Sequence, residues 1–283
     1  MNGEPHTHAR DLRFVKMHGL GNDFVVVDAR GAPARMNARL AHALGDRHRG
    51  IGFDQLAVIH EGEGATAEVE FWNADGSLAG ACGNATRCVG HLLIEESKAP
   101  EVTMKTVNGL LRGWRNQDGT LTVDMGSAQL GWREIPLAGE VDTVSLPLEG
   151  APGAVSMGNP HCVFFVEDAD SVALEEAGPV WEHHPTFPER TNVEFCQVLD
   201  RHSIRMRVWE RGTGVTLACG SGACAAVVAG VRKGLVEREV RVILDGGPLD
   251  LEWRENGHVL MTGPVATVFE GRLTTEFLAG VRP

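Results

Sequence analysis

Tyrosine is absent from this sequence of 283 residues, and lysine occurs only at positions 16, 98, 105 and 233. None of these lysines lies in a context typical of a pyridoxal phosphate site. The glycine-rich segment Gly19–Phe24 lacks the third glycine of a dinucleotide-binding fingerprint, and the sequence contains no Walker-type phosphate-binding loop. These absences predict a protein that works without a cofactor.

Cysteine occurs six times, but no pair has the C-x-x-C spacing. Cys82 and Cys88 are six positions apart, and Cys219 and Cys224 are five apart, which does not suit a structural zinc site. The twelve histidines are scattered along the chain. We therefore expect reduced thiols and no metal site.

Long hydrophobic runs are also missing. The longest stretch of small and apolar residues, 217–231, is too short and too rich in glycine and alanine for a membrane span. Residues 1–12 lack the apolar core of a signal peptide, so we expect them to be a frayed extension of a cytoplasmic protein. The net charge of −12 argues against nucleic acid or an anionic membrane as the main partner, and it does not indicate which small molecule binds.

What the sequence does contain is an internal duplication with an offset of 137 positions (219 − 82). The matched segments are Ala81–Asn84 with Ala218–Ser221, Gly21-Asn22 with Gly158-Asn159, Gln55 with Asn192, Trp72-Asn73 with Trp209-Glu210, and Gly126 with Gly263. The repeat predicts two domains, 13–127 and 128–263, with the active site in the cleft between them. A remaining C-terminal strand, at about 264–279, is predicted to join the first domain.

Both halves show short strand patterns around one helix. Polar and apolar residues alternate in 68–72 and again in 205–209, which is typical of half-buried strands. Residues 223–231 are small and apolar nearly all round, which predicts a fully buried helix. We predict an α+β fold of two pseudo-symmetric domains, each a curved, mostly antiparallel sheet wrapped around a central helix.

The duplicated cysteines, Cys82 and Cys219, each stand just before a predicted helix. A helix N-terminus carries partial positive charge and unpaired N–H groups, which predicts a lowered thiol pKa and a binding place for a carboxylate. Two thiols that face one carbon from opposite sides can invert it, because a thiolate removes the α-proton while a thiol delivers a proton to the other face. The pattern therefore favours stereoinversion of an amino acid.

A series of ordered segments resembles the diaminopimelate epimerase family. The segments are Met17–Phe24, Gly52–Gln55, Asn73–Ser77, Cys82–Asn84, Gly158–His161, Thr191–Val193, Glu210–Gly212 and Cys219–Cys224. The resemblance extends from about residue 13 to 275. It implies a cofactor-independent isomerase that interconverts LL- and meso-2,6-diaminopimelate for lysine and cell-wall synthesis.

The resemblance also implies roles for individual residues. Cys82 and Cys219 would form the acid–base pair, with His161 and Glu210 beside them as further catalytic residues. The substrate-binding residues would be Asn22, Gln55, Asn73, Gly83, Asn84, Asn159, Asn192, Glu210, Arg211, Gly220 and Ser221. Among these, Arg211 suits the distal carboxylate as a forked donor, and the asparagines and Glu210 suit the distal ammonium.

One departure concerns assembly. Members of the family often carry a tyrosine at a dimer contact near the C-terminal strand, and Phe269 stands at that place here. The resemblance implies a homodimer in which Phe269 keeps the apolar contact and loses the hydroxyl hydrogen bond.

Simpler interpretations exist for these residues. Cysteines on buried elements are usually small apolar core residues, and we expect this of Cys88, Cys162, Cys196 and Cys224. The two asparagines that follow glycine, at 22 and 159, are also turn formers. The pair at 210–211 is compatible with a surface ion pair, and the histidine at 161 with a core histidine.

Three other functions compete with epimerisation of diaminopimelate. A proline-racemase-like enzyme would use the same thiols but lack the distal clamp of Arg211, Asn73 and Asn192. A thiol redox protein would form a Cys82–Cys219 disulfide. A non-catalytic binding protein would have no need of both thiols.

Overall fold

The computed structural model describes residues 12–31, 36–80, 83–107 and 109–281. The elements of the first half are β1 (Arg13–Gly19), β2 (Asn22–Asp28), α1 (Ala38–Gly45), β3 (Gln55–Glu61), β4 (Ala67–Asn73), β5 (Leu78–Ala79), α2 (Gly83–Ser97), β6 (Glu101–Thr106), β7 (Gly109–Arg115) and β8 (Leu121–Ser127). Those of the second half are β9 (Gly153–Ser156), β10 (Pro160–Phe165), α3 (Leu174–Glu182), β11 (Asn192–Asp200), β12 (Ser203–Glu210), β13 (Gly214–Val215), α4 (Gly220–Arg232), β14 (Glu239–Leu244), β15 (Gly247–Trp253) and β16 (His258–Gly263). The chain ends with β17 (Ala266–Arg272) and α5 (Thr275–Gly280).

The sheet is mainly antiparallel, as the sequence predicted. Parallel pairing occurs between β2 and β3, β4 and β6, β10 and β11, and β12 and β14. The first and third of these pairs are equivalent under the duplication, and so are the second and fourth. The α+β class with two pseudo-symmetric halves is therefore confirmed.

Helices α2 and α4 are the central helices. Every residue of α4 from Gly220 to Gly230 is buried, and α2 buries the residues from Gly83 to Gly90. Both helices belong to one apolar core that also contains Met17, Met125 and Met261. The small residues of α4 allow close packing on all sides, which explains why it has no polar face.

Two strand pairings connect the halves. Strand β8 pairs with β16 in an antiparallel register that includes Val123 with Met261 and Asp124 with Leu260. Shifting either pair by the duplication offset gives the other pair, so the pseudo-twofold axis passes between these strands. Strand β17 pairs with β1 along its length, which returns the end of the chain to the first half. The exact domain bounds remain a prediction.

Helix α3 was not predicted from the sequence. It contains Gly178 and Pro179, and both residue types disfavour helix interiors. The reason for Gly178 is tertiary, because a Cβ at this position would lie 2.4 Å from the indole ring of Trp209. Glycine at 178 therefore allows the backbone of α3 to pack directly against the indole ring of Trp209.

The cysteines outside the duplicated motif have the expected environment. Cys88, Cys162, Cys196 and Cys224 are buried and free of disulfides. Burial raises the pKa of Cys88 and of Cys224 to about 12. Within the described residues, no helix has the length and apolar character needed to cross a membrane.

Candidate active site

The N-terminal ends of α2 and α4 lie against each other. The Nδ2 group of Asn84 in α2 donates a 3.1 Å hydrogen bond to the carbonyl oxygen of Ala218, just before α4. A Cβ on Gly83 would lie 2.8 Å from Met261 Cε, and one on Gly220 would lie 3.0 Å from Met261 Sδ. Both helix starts therefore converge on one methionine beside the pseudo-twofold axis. Cys82 lies outside the described residues.

Cys219 is the N-cap residue of α4. Its backbone is extended, and its sulfur accepts a 3.4 Å hydrogen bond from the N–H of Gly222. The hydroxyl of Ser221 lies 3.6 Å from the same sulfur. The thiol is thus placed at the start of a helix, as the sequence predicted.

The expected lowering of the thiol pKa is wrong for Cys219. Burial raises its pKa well above the ordinary value, and the carboxylates of Glu210 and Glu194 raise it further. The hydrogen bonds from Ser221 and Gly222 act in the opposite direction but do not prevail. Desolvation and the two nearby carboxylates therefore favour the thiol over the thiolate at this sulfur.

Glu210 ends β12 and lies beside Cys219. Burial raises the pKa of its carboxyl to about 7, although the hydrogen bond from the hydroxyl of Thr216 and the proximity of His161 lower it. The carboxylate of Asp54, from the first half, acts to raise it. A carboxyl that titrates near neutral pH can both accept and release a proton, which suits a catalytic group.

His161 is fully buried between two side chains. Its Nδ1 lies 2.6 Å from Glu194 Oε1, and its Nε2 lies 3.0 Å from Asn159 Oδ1. The Nδ2 of Asn159 donates a 3.3 Å hydrogen bond to the hydroxyl of Ser221. The predicted residues His161, Asn159 and Ser221 therefore form one connected group next to Cys219.

Asn22 makes the corresponding connection in the first half. Its Oδ1 accepts a 3.1 Å hydrogen bond from Asn84, and its Nδ2 donates a 2.8 Å hydrogen bond to Asp54. Arg47 holds the other oxygen of Asp54 at 2.8 Å. Burial raises the pKa of Asp54, and the hydrogen bond from Asn22 only partly offsets this. Asp54 was not predicted as a site residue, although it stands next to Gln55.

The side chain of Asn84, between the starts of α2 and α4, has one polar atom that accepts no hydrogen bond from the described residues. The residue is buried, and its Oδ1 has no hydrogen-bond partner among the described residues. This oxygen lies 3.3 Å from the position that a Cβ of Gly220 would occupy. A side chain at 220 would therefore fill the space between the two helix starts.

Gln55 and Asn73 bond to each other at the ends of β3 and β4. The Nε2 of Gln55 donates a 3.0 Å hydrogen bond to Asn73 Oδ1, and Asn73 Nδ2 donates one of 3.0 Å to the hydroxyl of Ser77. Both side chains are only partly buried. The predicted pair therefore lies at a strand end of the first half, with its amides already oriented.

Arg211 follows Glu210 in a loop that two other side chains hold. Its backbone N–H donates a 2.9 Å hydrogen bond to Asn192 Oδ1, and its guanidinium donates to the carbonyl of Glu189 at 3.1 Å. Buried Glu182 of α3 accepts hydrogen bonds from Trp209 Nε1 at 2.6 Å and from the N–H after Arg211 at 3.0 Å. Glu182 therefore holds both ends of the segment that contains Arg211. No sequence pattern predicted this role for Glu182.

The first half lacks this support. Gly45 occupies the position equivalent to Glu182, and Trp72 occupies that of Trp209. The Nε1 group of Trp72 is buried with no hydrogen-bond partner in the described residues, whereas that of Trp209 has Glu182. The braced loop is thus a feature of the second half only.

One cavity of the described residues lies outside this site. A cavity of about 770 Å³ is lined by Trp114, Thr122, His202, Thr262 and their neighbours, and it contains none of the predicted site residues. It is an open surface groove, so we assign the site from its chemistry and not from cavity volume. No group of three or more metal-binding side chains occurs in the described part of the chain.

Similarity to known proteins identifies the family of this chain. Residues 14–131 and 153–268 match the family described as diaminopimelate epimerase. The chain belongs to the diaminopimelate epimerase family. A diaminopimelate epimerase of Rhodospirillum centenum is 52% identical over 277 residues, which cover 96% of this chain and 95% of that protein.

Two solved structures share the fold at low sequence identity. A predicted epimerase from Pseudomonas aeruginosa has a TM-score of 0.71 at 19% identity and covers 93% of this chain and 99% of its own. A hydroxyproline epimerase from Agrobacterium vitis, solved with trans-4-hydroxy-L-proline, has a TM-score of 0.70 at 17% identity and covers 97% and 95%. The fold of the diaminopimelate epimerase family is therefore shared with other epimerases.

Proposed function

We propose that this member of the diaminopimelate epimerase family inverts one Cα centre of 2,6-diaminopimelate, between the LL and meso forms, with Cys82 and Cys219 as the two acid–base groups. The observation that carries the proposal is the convergence of two equivalent helix N-termini on Met261, with Cys219 as the N-cap of one. Family membership and the close similarity to a named diaminopimelate epimerase support the choice of substrate.

The α-carboxylate of the substrate would bind at the two helix starts. The residues there are Gly83 and Asn84 in α2, and Gly220 and Ser221 in α4. Unpaired N–H groups and the positive ends of two helices favour an anion at this point. They also stabilise the negative charge that develops when the α-proton leaves.

Proton transfer would then take place between the substrate and the two sulfurs. One cysteine thiolate takes the proton from Cα, and the other cysteine thiol gives its proton to the opposite face, so that no electron pair leaves the substrate. The two cysteines exchange roles when the reaction runs in reverse. No cofactor takes part in this sequence of steps.

Substrate binding would help to form the thiolate. Burial and the carboxylates of Glu210 and Glu194 oppose a negative charge on Cys219. The α-ammonium of the substrate lies one bond from the reacting carbon and brings a positive charge into this environment. Glu210, with its pKa near 7, is placed to exchange a proton with the sulfur.

The distal end of the substrate would bind between the Gln55–Asn73 pair and the loop at Arg211. The guanidinium suits the distal carboxylate, and the amide oxygens suit the distal ammonium, while Glu210 lies at the reacting end beside Cys219. Proline and hydroxyproline have no second amino acid end, so a racemase that acts on them would have no use for this clamp. The braced loop of the second half therefore favours a substrate with two amino acid ends.

We also propose a cytoplasmic homodimer with a contact along β17. In the described residues β17 has a partner strand only on the β1 side, and its Val268 and Phe269 are 56% and 49% exposed. The ring of Phe269 meets that of Phe14 edge-on, with centroids 6.0 Å apart. An apolar edge strand of this kind is suited to cover by a second copy.

The test uses purified protein and LL-diaminopimelate in D2O without added cofactor. We expect conversion to the meso form with deuterium at the inverted carbon, and no reaction in Cys82→Ala or Cys219→Ala. The matched control is Cys196→Ala, which removes a buried core thiol on β11 and should retain activity. Inversion by the double alanine variant, or inversion of proline in preference to diaminopimelate, would contradict the proposal. Reversible oxidation of the Cys82–Cys219 pair without any inversion of diaminopimelate would instead indicate a redox protein.

A further inference from the structure

Glu194 carries a carboxylate in a strand that is otherwise apolar around it. The side chain is fully buried, and its neighbours Val193 and Phe195 are buried as well. A buried charge of this kind is costly unless a partner compensates it. Its partner is His161, whose Nδ1 lies 2.6 Å from Oε1.

The carboxylate also lies against the first turn of α4. A Cβ on Gly222 would come within 2.7 Å of Glu194 Oε1, so the helix backbone approaches the carboxylate as closely as glycine allows. The other oxygen, Oε2, is buried and has no hydrogen-bond partner in the described residues. The positive end of the helix therefore contributes to holding this charge.

A continuous series of polar contacts leads from Glu194 to the reactive sulfur. It passes through His161 and then Asn159, whose amide bonds to Ser221 at 3.3 Å. The hydroxyl of Ser221 lies 3.6 Å from Cys219 Sγ. Each contact fixes the orientation of the next polar group, because amide and imidazole groups have few directions in which they can bond.

We propose that Glu194 is a positioning residue, which holds the ring of His161 in one orientation and thereby aligns Asn159 and Ser221 beside Cys219. This proposal rests on the proposed function, because it assigns Glu194 a part in proton transfer at Cys219. Among the described residues Glu194 makes no hydrogen bond to the sulfur, which it otherwise influences only through its charge, and on this proposal it does not contact the substrate.

Comparison of the two halves supports the proposal. Asn22 and Asn159 are equivalent, and so are the residues that they bond to, Asn84 and Ser221. In the first half, Asp54 holds Asn22 directly. In the second half Thr191 occupies the position of Asp54, and the acid comes instead from Glu194 through His161. Each half therefore holds its asparagine with an acid from a different position, although Asn22 accepts from Asn84 whereas Asn159 donates to Ser221.

The test compares Glu194→Gln and Glu194→Ala with the wild type. We expect kcat to fall about 10- to 100-fold in Glu194→Gln, by analogy with the loss seen when the outer partner of a metal-bound histidine is changed, with KM within about threefold. The alanine variant should lose more, because glutamine can still accept a hydrogen bond from the imidazole. The nitrogen NMR signals of the His161 ring should shift in both variants.

The matched control is Asp124→Asn. Asp124 also pairs with a histidine ring, His258 Nδ1 at 2.9 Å, but this pair lies on β8 and β16, is partly exposed and makes no contact with the His161 group. This variant should retain activity and leave the His161 signals unchanged. Thermal unfolding of each variant identifies any loss due to misfolding.

Two results would overturn the proposal. One is a Glu194→Gln protein with the wild-type kcat, and the other is a slow Glu194→Gln protein whose His161 signals match the wild type. Failure of the proposed function would give a different result, because the wild-type protein itself would then introduce no deuterium into diaminopimelate.

Discussion

Asn84 of α2 donates a hydrogen bond to the carbonyl oxygen of Ala218, and this bond joins the helix starts of the two halves directly before Cys219. The same Nδ2 group also reaches Asn22 at 3.1 Å. A single buried amide therefore connects both halves of the site. The start of α2 is thus coupled to the residue that precedes Cys219.

Replacement of Asn84 by alanine tests this connection. The change removes both hydrogen bonds and leaves the Ala218 carbonyl without this donor, so we expect a loss of about 1–3 kcal/mol in the free energy of unfolding. Epimerisation should fall at least about 10-fold, since the helix starts lose their alignment. Chemical denaturation and the D2O assay measure the two effects. Wild-type activity in Asn84→Ala would show that the connection is not needed.

The raised pKa of Glu210 predicts how stability changes with pH. Its folded-state pKa is about 7, above the ordinary value of 4.5, so the neutral carboxyl stabilises the fold below pH 4.5 and this contribution is lost as the pH rises through 7. Glu210→Gln stays neutral at every pH. Relative to the wild type, this variant should gain up to about 3 kcal/mol in the free energy of unfolding between pH 5 and pH 8. Urea denaturation at several pH values provides the measurement, and a pH-independent difference would show that Glu210 titrates normally.

Glu182 provides a prediction about substrate affinity. Glu182→Gln removes the charge that holds Trp209, Arg190 and the backbone after Arg211. We expect KM for diaminopimelate to rise about 10-fold with kcat changed by less than about threefold, because on the proposed function this loop contacts the distal end of the substrate and not the reacting carbon. The control Glu175→Gln alters an exposed position in the first turn of the same helix and should behave like the wild type. A drop in kcat at constant KM would contradict this assignment.

The sequence was sufficient to predict the helices that carry the site. Cysteine, glycine and a polar residue stand before each apolar helix pattern, and these signals are local. The duplication added long-range information that local patterns lack, because it predicted that the starts of α2 and α4 occupy equivalent positions in the two halves. Their contact through Asn84 and Met261 follows the pseudo-twofold axis.

Sequence patterns could not predict which residues surround Cys219. Glu194 lies on β11, Asp54 directly precedes β3 and Glu182 ends α3, so no spacing in the chain relates them to Cys219. For the same reason the direction of the Cys219 pKa was mispredicted. The local helix start favours a thiolate, but burial and two carboxylates from β11 and β12 oppose it more strongly.

The exposed edge of β17 predicts the assembly state. Phe269→Arg places a charge in the apolar strip formed with Val268, so the variant should be monomeric at concentrations where the wild type is a dimer. Leu110→Arg is the matched control, because Leu110 is a similarly exposed apolar residue on β7, at 57% exposure. Sedimentation velocity measures the assembly of all three proteins. If the wild type is monomeric, or if Phe269→Arg sediments as a dimer, β17 is not the contact, whereas dissociation by Leu110→Arg alone would place the interface on β7.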